Sequence, residues 1–126
     1  MSTLQRFEDL QVWITARELT QNIYMLSIIG GFSRDFALRD QIRRASVSVI
    51  SNIAEGFESE AQALFITYLG RAKASAGEIR SQLYFALDLD YISREQFQSV
   101  IQMVEECSRQ LFGFIKYQNL NQTFAG

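Results

Sequence analysis

Between residues 41 and 57 the chain reads QIRRASVSVISNIAEGF, and its apolar side chains return at helical spacing on two separate faces. At about 100° per residue, Leu38, Ile42, Ala45, Val49 and Ile53 fall on one face. Val47, Ile50, Ala54 and Phe57 fall on another. Gln41, Arg44, Ser48, Asn52 and Glu55 line up along one edge. A helix needs one apolar face to join a core. A second apolar face predicts a second partner, because such surface usually marks an interface. Val47, Ile50, Ala54 and Phe57 are therefore expected to form an oligomer interface.

Three further seams complete the pattern. Val12, Ala16, Leu19, Ile23 and Leu26 recur at spacings of four and three, the signature of one core-facing helix. Asp9 is the expected cap of that helix and Gly30-Gly31 its expected end. Ser33 or Asp35 can cap the second helix. Ser59 with Gln62, and Ser93 with Gln96, match the capping box in which a serine and a glutamine each satisfy an orphan amide. The third helix carries Phe65, Leu69, Ala72, Ala76, Ile79, Leu83 and Ala86. The fourth carries Phe97, Ile101, Val104, Ser108, Leu111 and Ile115. The chain is thus expected to be a single all-α domain over 1–126, an antiparallel up-down-up-down four-helix bundle with helices at 9–28, 35–57, 60–90 and 94–118 and a frayed polar tail. The small residues Ala72, Ala74, Ser75, Ala76 and Gly77 predict a tight helix crossing in the third helix.

Composition narrows the chemistry. The chain has 126 residues, no proline and no histidine. The missing proline suits long helices. The missing histidine removes the commonest general base and the usual metal ligand, and with it the Glu-x-x-His di-metal sites of helical bundles. Cys107 is the one cysteine, which excludes an internal disulfide and fits a reducing, cytoplasmic compartment. A buried thiol is its expected state. No leader-like start and no apolar run long enough for a membrane span are visible. No enzyme activity, cofactor, metal or membrane partner is expected.

Two features remain as candidate sites. The polar stripe on the second helix has a counterpart on the third at Arg71, Ser75, Glu78 and Gln82. Such a stripe is either a hydrogen-bond network that fixes helix register or a ligand site. Ten of the twelve basic residues are arginine, the side chain suited to phosphate. Arg39, Arg43, Arg71 and Lys73 are the candidate nucleic-acid contacts. The competing reading pairs Asp35 with Arg39 and Asp40 with Arg44, each four residues apart on a helix.

Three blocks in order are distinctive. The first is Phe7–Trp13 with Ala16–Leu19. The second is Gln41–Ala45, Ser48 and Ser51–Phe57 with Gly56. The third is Tyr68, Leu69, Ala72, Ser75, Glu78 and Leu83 of the third helix. In these blocks the chain resembles the four-helix-bundle proteins encoded by intervening sequences in bacterial 23S ribosomal RNA genes, a family that also takes in the accessory variability protein of diversity-generating retroelements. The resemblance implies an antiparallel four-helix bundle and a homopentameric ring. It also implies a non-enzymatic adaptor for RNA, DNA or a nucleoprotein. The retroelement members are basic, whereas this chain has a net charge of −2. A protein scaffold without nucleic acid is the alternative.

Overall fold

The seams close a core of helices only. The computed structural model describes residues 6–125, with side chains through residue 120. The first five residues and Gly126 of the expected domain lie outside the described residues. A 3-10 turn at Phe7–Asp9 precedes α1 (Gln11–Leu26), α2 (Gly30–Arg34), α3 (Phe36–Glu58), α4 (Gln62–Asp88) and α5 (Arg94–Ala125). Among the described residues five α-helices are present where four were expected. α3 packs against α1 and α4, and α5 packs against α4 and α1, so the four long helices surround one core. Among the described residues there is no strand, and no helix is long and apolar enough to cross a membrane.

Each seam lands in that core. Val12, Ala16, Leu19 and Ile23 of α1 are buried, as are all five seam residues of α3 and all seven of α4. On α5 the buried set is Phe97, Val100, Ile101, Val104, Cys107 and Leu111. Ser108 and Ile115 are only half-buried. The seam of α5 thus rotates toward Cys107, which a hydroxyl at position 108 favours.

Several boundaries move, each for a local reason. Asp9 does not cap α1; it closes the 3-10 turn, and Leu10 is the capping position without a side-chain bond. α1 stops at Leu26, and Gly30, at φ +55°, opens α2 instead of ending α1. Asp35 does cap α3, its carboxylate accepting from the Leu38 amide at 3.1 Å. The Ser93–Gln96 box forms in full, with Gln96 Oε1 accepting from the Ser93 amide at 2.8 Å and Ser93 Oγ accepting from the Gln96 amide at 3.1 Å. The Ser59–Gln62 box does not form. Ser59 still belongs to the end of α3, donating to the Gly56 carbonyl at 2.7 Å. Glu60 then turns to φ +55° and Ala61 becomes the extended residue before α4. Gln62 instead donates to Gln118 across the molecule. α5 continues to Ala125, past the expected stop at 118.

The expected tight crossing at Gly77 is not there. Gly77 is exposed, and a Cβ at that position would meet nothing within 4 Å. The close approach sits at Gly56, where a Cβ would stand 2.8 Å from Tyr68 Cβ and 2.9 Å from Phe65 Cδ1. The glycine that lets α3 and α4 touch is therefore on α3.

Candidate nucleic-acid interface

The polar stripes of α3 and α4 meet in the middle. Ser48 and Ser75 share a hydrogen bond of 2.8 Å between their hydroxyls, and Asn52 donates to the Ser48 hydroxyl at 3.0 Å and to its carbonyl at 2.8 Å. Ser75 is buried and Ser48 and Asn52 are half-buried. This trio ties the register of α3 to that of α4. Gln41, Arg44 and Glu55 at the flanks of the stripe are exposed, as is Glu78 of α4. The stripe is thus a short bridge with solvated ends.

The second apolar face of α3 is divided. Ser46, Ile50 and Phe57 share the edge that faces α1, and the Ser46 carbonyl accepts from Thr20 of α1 at 3.2 Å. Ile50 and Phe57 consequently pack against the molecule's own core, with the Phe57 ring edge-on to Phe65 at 6.0 Å. Ala54 is half-buried and Val47 is 38% exposed. Part of the partner that this face needs is the molecule's own core.

The four candidate cations do not form one patch. Arg39 and Arg43 lie one turn apart on α3. Arg43 lines an open groove of about 560 Å³ with Tyr24, Asp40, Arg44, Val47 and Ser48. Arg71 lies over the Tyr68 ring at 5.1 Å. Lys73, two positions and about 200° further round α4, lines a different groove of about 400 Å³ beside Arg80, Glu105 and Arg109 on the α5 side. Proximity in sequence brought Arg71 and Lys73 together; the helix turns them apart.

The expected i,i+4 ion pairs are also absent. Asp35 is committed to the Leu38 amide and to the Tyr91 hydroxyl, which donates to it at 3.0 Å. That bond holds the Tyr91 phenol above its ordinary pKa, since ionising it would place two negative charges together. Asp40 pairs with its neighbour Arg39 at 3.0 Å. Arg34, Arg43 and Arg44 make no ion pair among the described residues.

Arginine placement on α1 escaped the sequence reading. Trp13, Arg17, Thr20 and Tyr24 recur at four, three and four, which puts them on one edge of α1. That edge faces α3, because Thr20 donates to the Ser46 carbonyl and the Arg43 guanidinium lies over the Tyr24 ring at 4.7 Å. The four-three-four spacing was the available signal.

No group of histidine, cysteine or acidic side chains among the described residues could hold a metal ion. Cys107 is fully buried, and desolvation, followed by the charge of Glu106, pushes its thiol up to about 12. The neutral thiol is therefore favoured in the fold. The stability it contributes is complete below the ordinary thiol pKa of 9.0 and is lost as pH rises toward about 12. Native protein at pH 8 is expected to resist alkylation by iodoacetamide and to react quickly once unfolded in urea. Rapid labelling of the native protein would contradict this burial.

Comparison with known proteins places the arrangement in context. The chain matches the family described as 23S rRNA-intervening sequence protein over residues 8–113. It is similar to a solved structure of a protein with unknown function from the S23 ribosomal protein family of Bacteroides thetaiotaomicron. The two share 26% identity over 83% of this chain and 95% of that one, with a TM-score of 0.76. No curated protein matches the chain.

Proposed function

Because this chain belongs to the 23S rRNA-intervening sequence protein family, we propose that it is a non-enzymatic, homo-oligomeric adaptor that binds nucleic acid by phosphate contacts. Its four long helices form an antiparallel up-down-up-down bundle, and the bundles close into a pentameric ring. The observation that carries the binding is the set of arginines without carboxylate partners. Asp35 and Asp40, the acids expected to neutralise α3, are engaged elsewhere, so Arg34, Arg43 and Arg44 keep their charge for an anion. A ring repeats this surface in every subunit. Self-association has its own support, because Met25, Ile28, Ile29, Phe112 and Tyr117 are each more than half exposed.

The second reading, a protein scaffold without nucleic acid, is favoured by the net charge of −2. A gel-shift titration with RNA and DNA separates the two, run beside light scattering for mass. The expected result is a particle near five subunits of 14.5 kDa and a nucleic-acid complex that weakens with salt. With Arg34, Arg43 and Arg44 as phosphate contacts, affinity should fall about fortyfold between 50 and 200 mM salt. Arg43→Glu should weaken it further. A monomer at micromolar concentration would end the ring, and no complex at low salt would establish the scaffold reading.

A further inference from the structure

The arginines between α1 and α3 are unusual in what lies beneath them. Arg17 stands over the Trp13 ring at 5.6 Å, Arg43 over Tyr24 at 4.7 Å and Arg39 over Phe36 at 4.7 Å. Cation–π pairs occur about once per 70–80 residues, so a chain of this length should show about two. Five occur among the described residues, and three of them share one side of the molecule. Trp13, Arg17 and Tyr24 lie on the α3-facing edge of α1, and Arg39 and Arg43 lie on the same edge of α3 as Ser46, which faces α1. The row extends about 20 Å at 1.5 Å per helical residue.

Two of these guanidinium groups are fixed from below. Arg43 donates through Nε to the fully buried Ser27 hydroxyl at 2.8 Å. Arg39 donates to the Ser33 carbonyl and to Asp40, both at 3.0 Å. Fixing a long side chain in advance lowers the entropy cost of binding. Each guanidinium carbon lies over an aromatic ring; Arg17 is exposed, and Arg39 and Arg43 are half-buried.

We propose that the α1–α3 side of the molecule, including the groove lined by Arg43, binds single-stranded nucleic acid, with bases stacked on the guanidinium groups of Arg17, Arg43 and Arg39 and phosphates held by Arg17 and Arg43. This deepens the phosphate-binding reading above and rests on it. A ring-backed guanidinium offers a flat cationic surface, and an unstacked base is the flat partner that fits it. A duplex has its base faces already covered by neighbouring pairs and can offer this groove only phosphates. Asp40 lines the groove beside Arg43 and is paired with Arg39, so the charges of these two offset each other where the strand passes.

Trp13 is the chain's one tryptophan, and its fluorescence therefore reports the Arg17 end of the row. The full-length protein is titrated with oligonucleotides of about a dozen nucleotides, as single-stranded RNA, single-stranded DNA and the matching duplex. A single strand should quench Trp13 and bind at least about fivefold more tightly than the duplex. Arg43→Lys keeps the charge and loses the plane. It should weaken single-strand binding about tenfold and leave duplex binding unchanged. Tyr24→Leu should do the same, and Tyr24→Phe, which retains the ring, should bind like wild type. Equal affinity for both forms, binding without quenching, or an Arg43→Lys variant indistinguishable from wild type would overturn the proposal and leave phosphate binding standing. Failure of every oligonucleotide to bind at low salt would remove both.

Discussion

Ile79→Asp should leave the chain without a cooperative fold at neutral pH. Ile79 is fully buried in α4, on the seam between Ala76 and Leu83, in the same cluster as Ile42 and Leu111. Removing the side chain forfeits about 1.5–3 kcal/mol of apolar burial. The carboxylate adds the larger penalty. The described buried polar residues are Ser27, Ser46 and Ser75, and none is a cation that could pair with it. An unpaired buried acid either stays charged at a cost of several kcal/mol or takes up a proton by shifting its pKa, which also costs stability. Together these terms match the lower half of the about 5–15 kcal/mol that holds a domain folded. Ile79→Val, which removes one methylene, should cost only about 1 kcal/mol. Circular dichroism through a thermal melt measures both. Native helicity and an unshifted transition in Ile79→Asp would show that the α4 seam does not face the core.

The seams were legible because burial and helical periodicity are the same constraint seen twice. Every core position named on α3 and α4 is buried, and the Ser93–Gln96 cap forms in full. What escaped depended on backbone conformation that composition does not fix. Glu60 in a left-handed conformation displaced the Ser59 box. α2 escaped because five residues that start Gly-Gly carry too few periodic positions to stand out, although Phe32 in its middle is fully buried and stacks on Tyr91 at 5.7 Å. The candidate site was less legible than the core. Neighbours in sequence suggested one patch of Arg39, Arg43, Arg71 and Lys73, but helix rotation sends Lys73 to the α5 side. The arginine with the matching orientation is Arg17, some twenty residues earlier on another helix.

Gly56→Ala and Gly77→Ala are the same chemical change and should have opposite signs. Both glycines lie inside helices, so each alanine recovers about 1 kcal/mol of helix propensity. At Gly77 nothing offsets that gain, because a Cβ there meets open space. Gly77→Ala should therefore stabilise the fold by about 0.5–1 kcal/mol. At Gly56 the new methyl would stand 2.8 Å from Tyr68 Cβ, 2.9 Å from Phe65 Cδ1 and 3.4 Å from Phe65 Cα. Tyr68 Cβ and Phe65 Cα are bound to the α4 backbone and cannot swing away by a rotamer change. α3 and α4 would have to separate at their contact, and overpacking of this kind costs about 1–3 kcal/mol. Separation would also loosen the Phe57–Phe65 edge contact and the Ser48–Ser75 bond further along the same interface. The net expectation is a loss of up to about 2 kcal/mol after the propensity gain is subtracted. That loss lowers the melting temperature by several degrees, whereas Gly77→Ala raises it. Urea unfolding of the two variants side by side gives both signs directly. A Gly56→Ala protein as stable as Gly77→Ala would mean that α3 and α4 do not touch at this glycine.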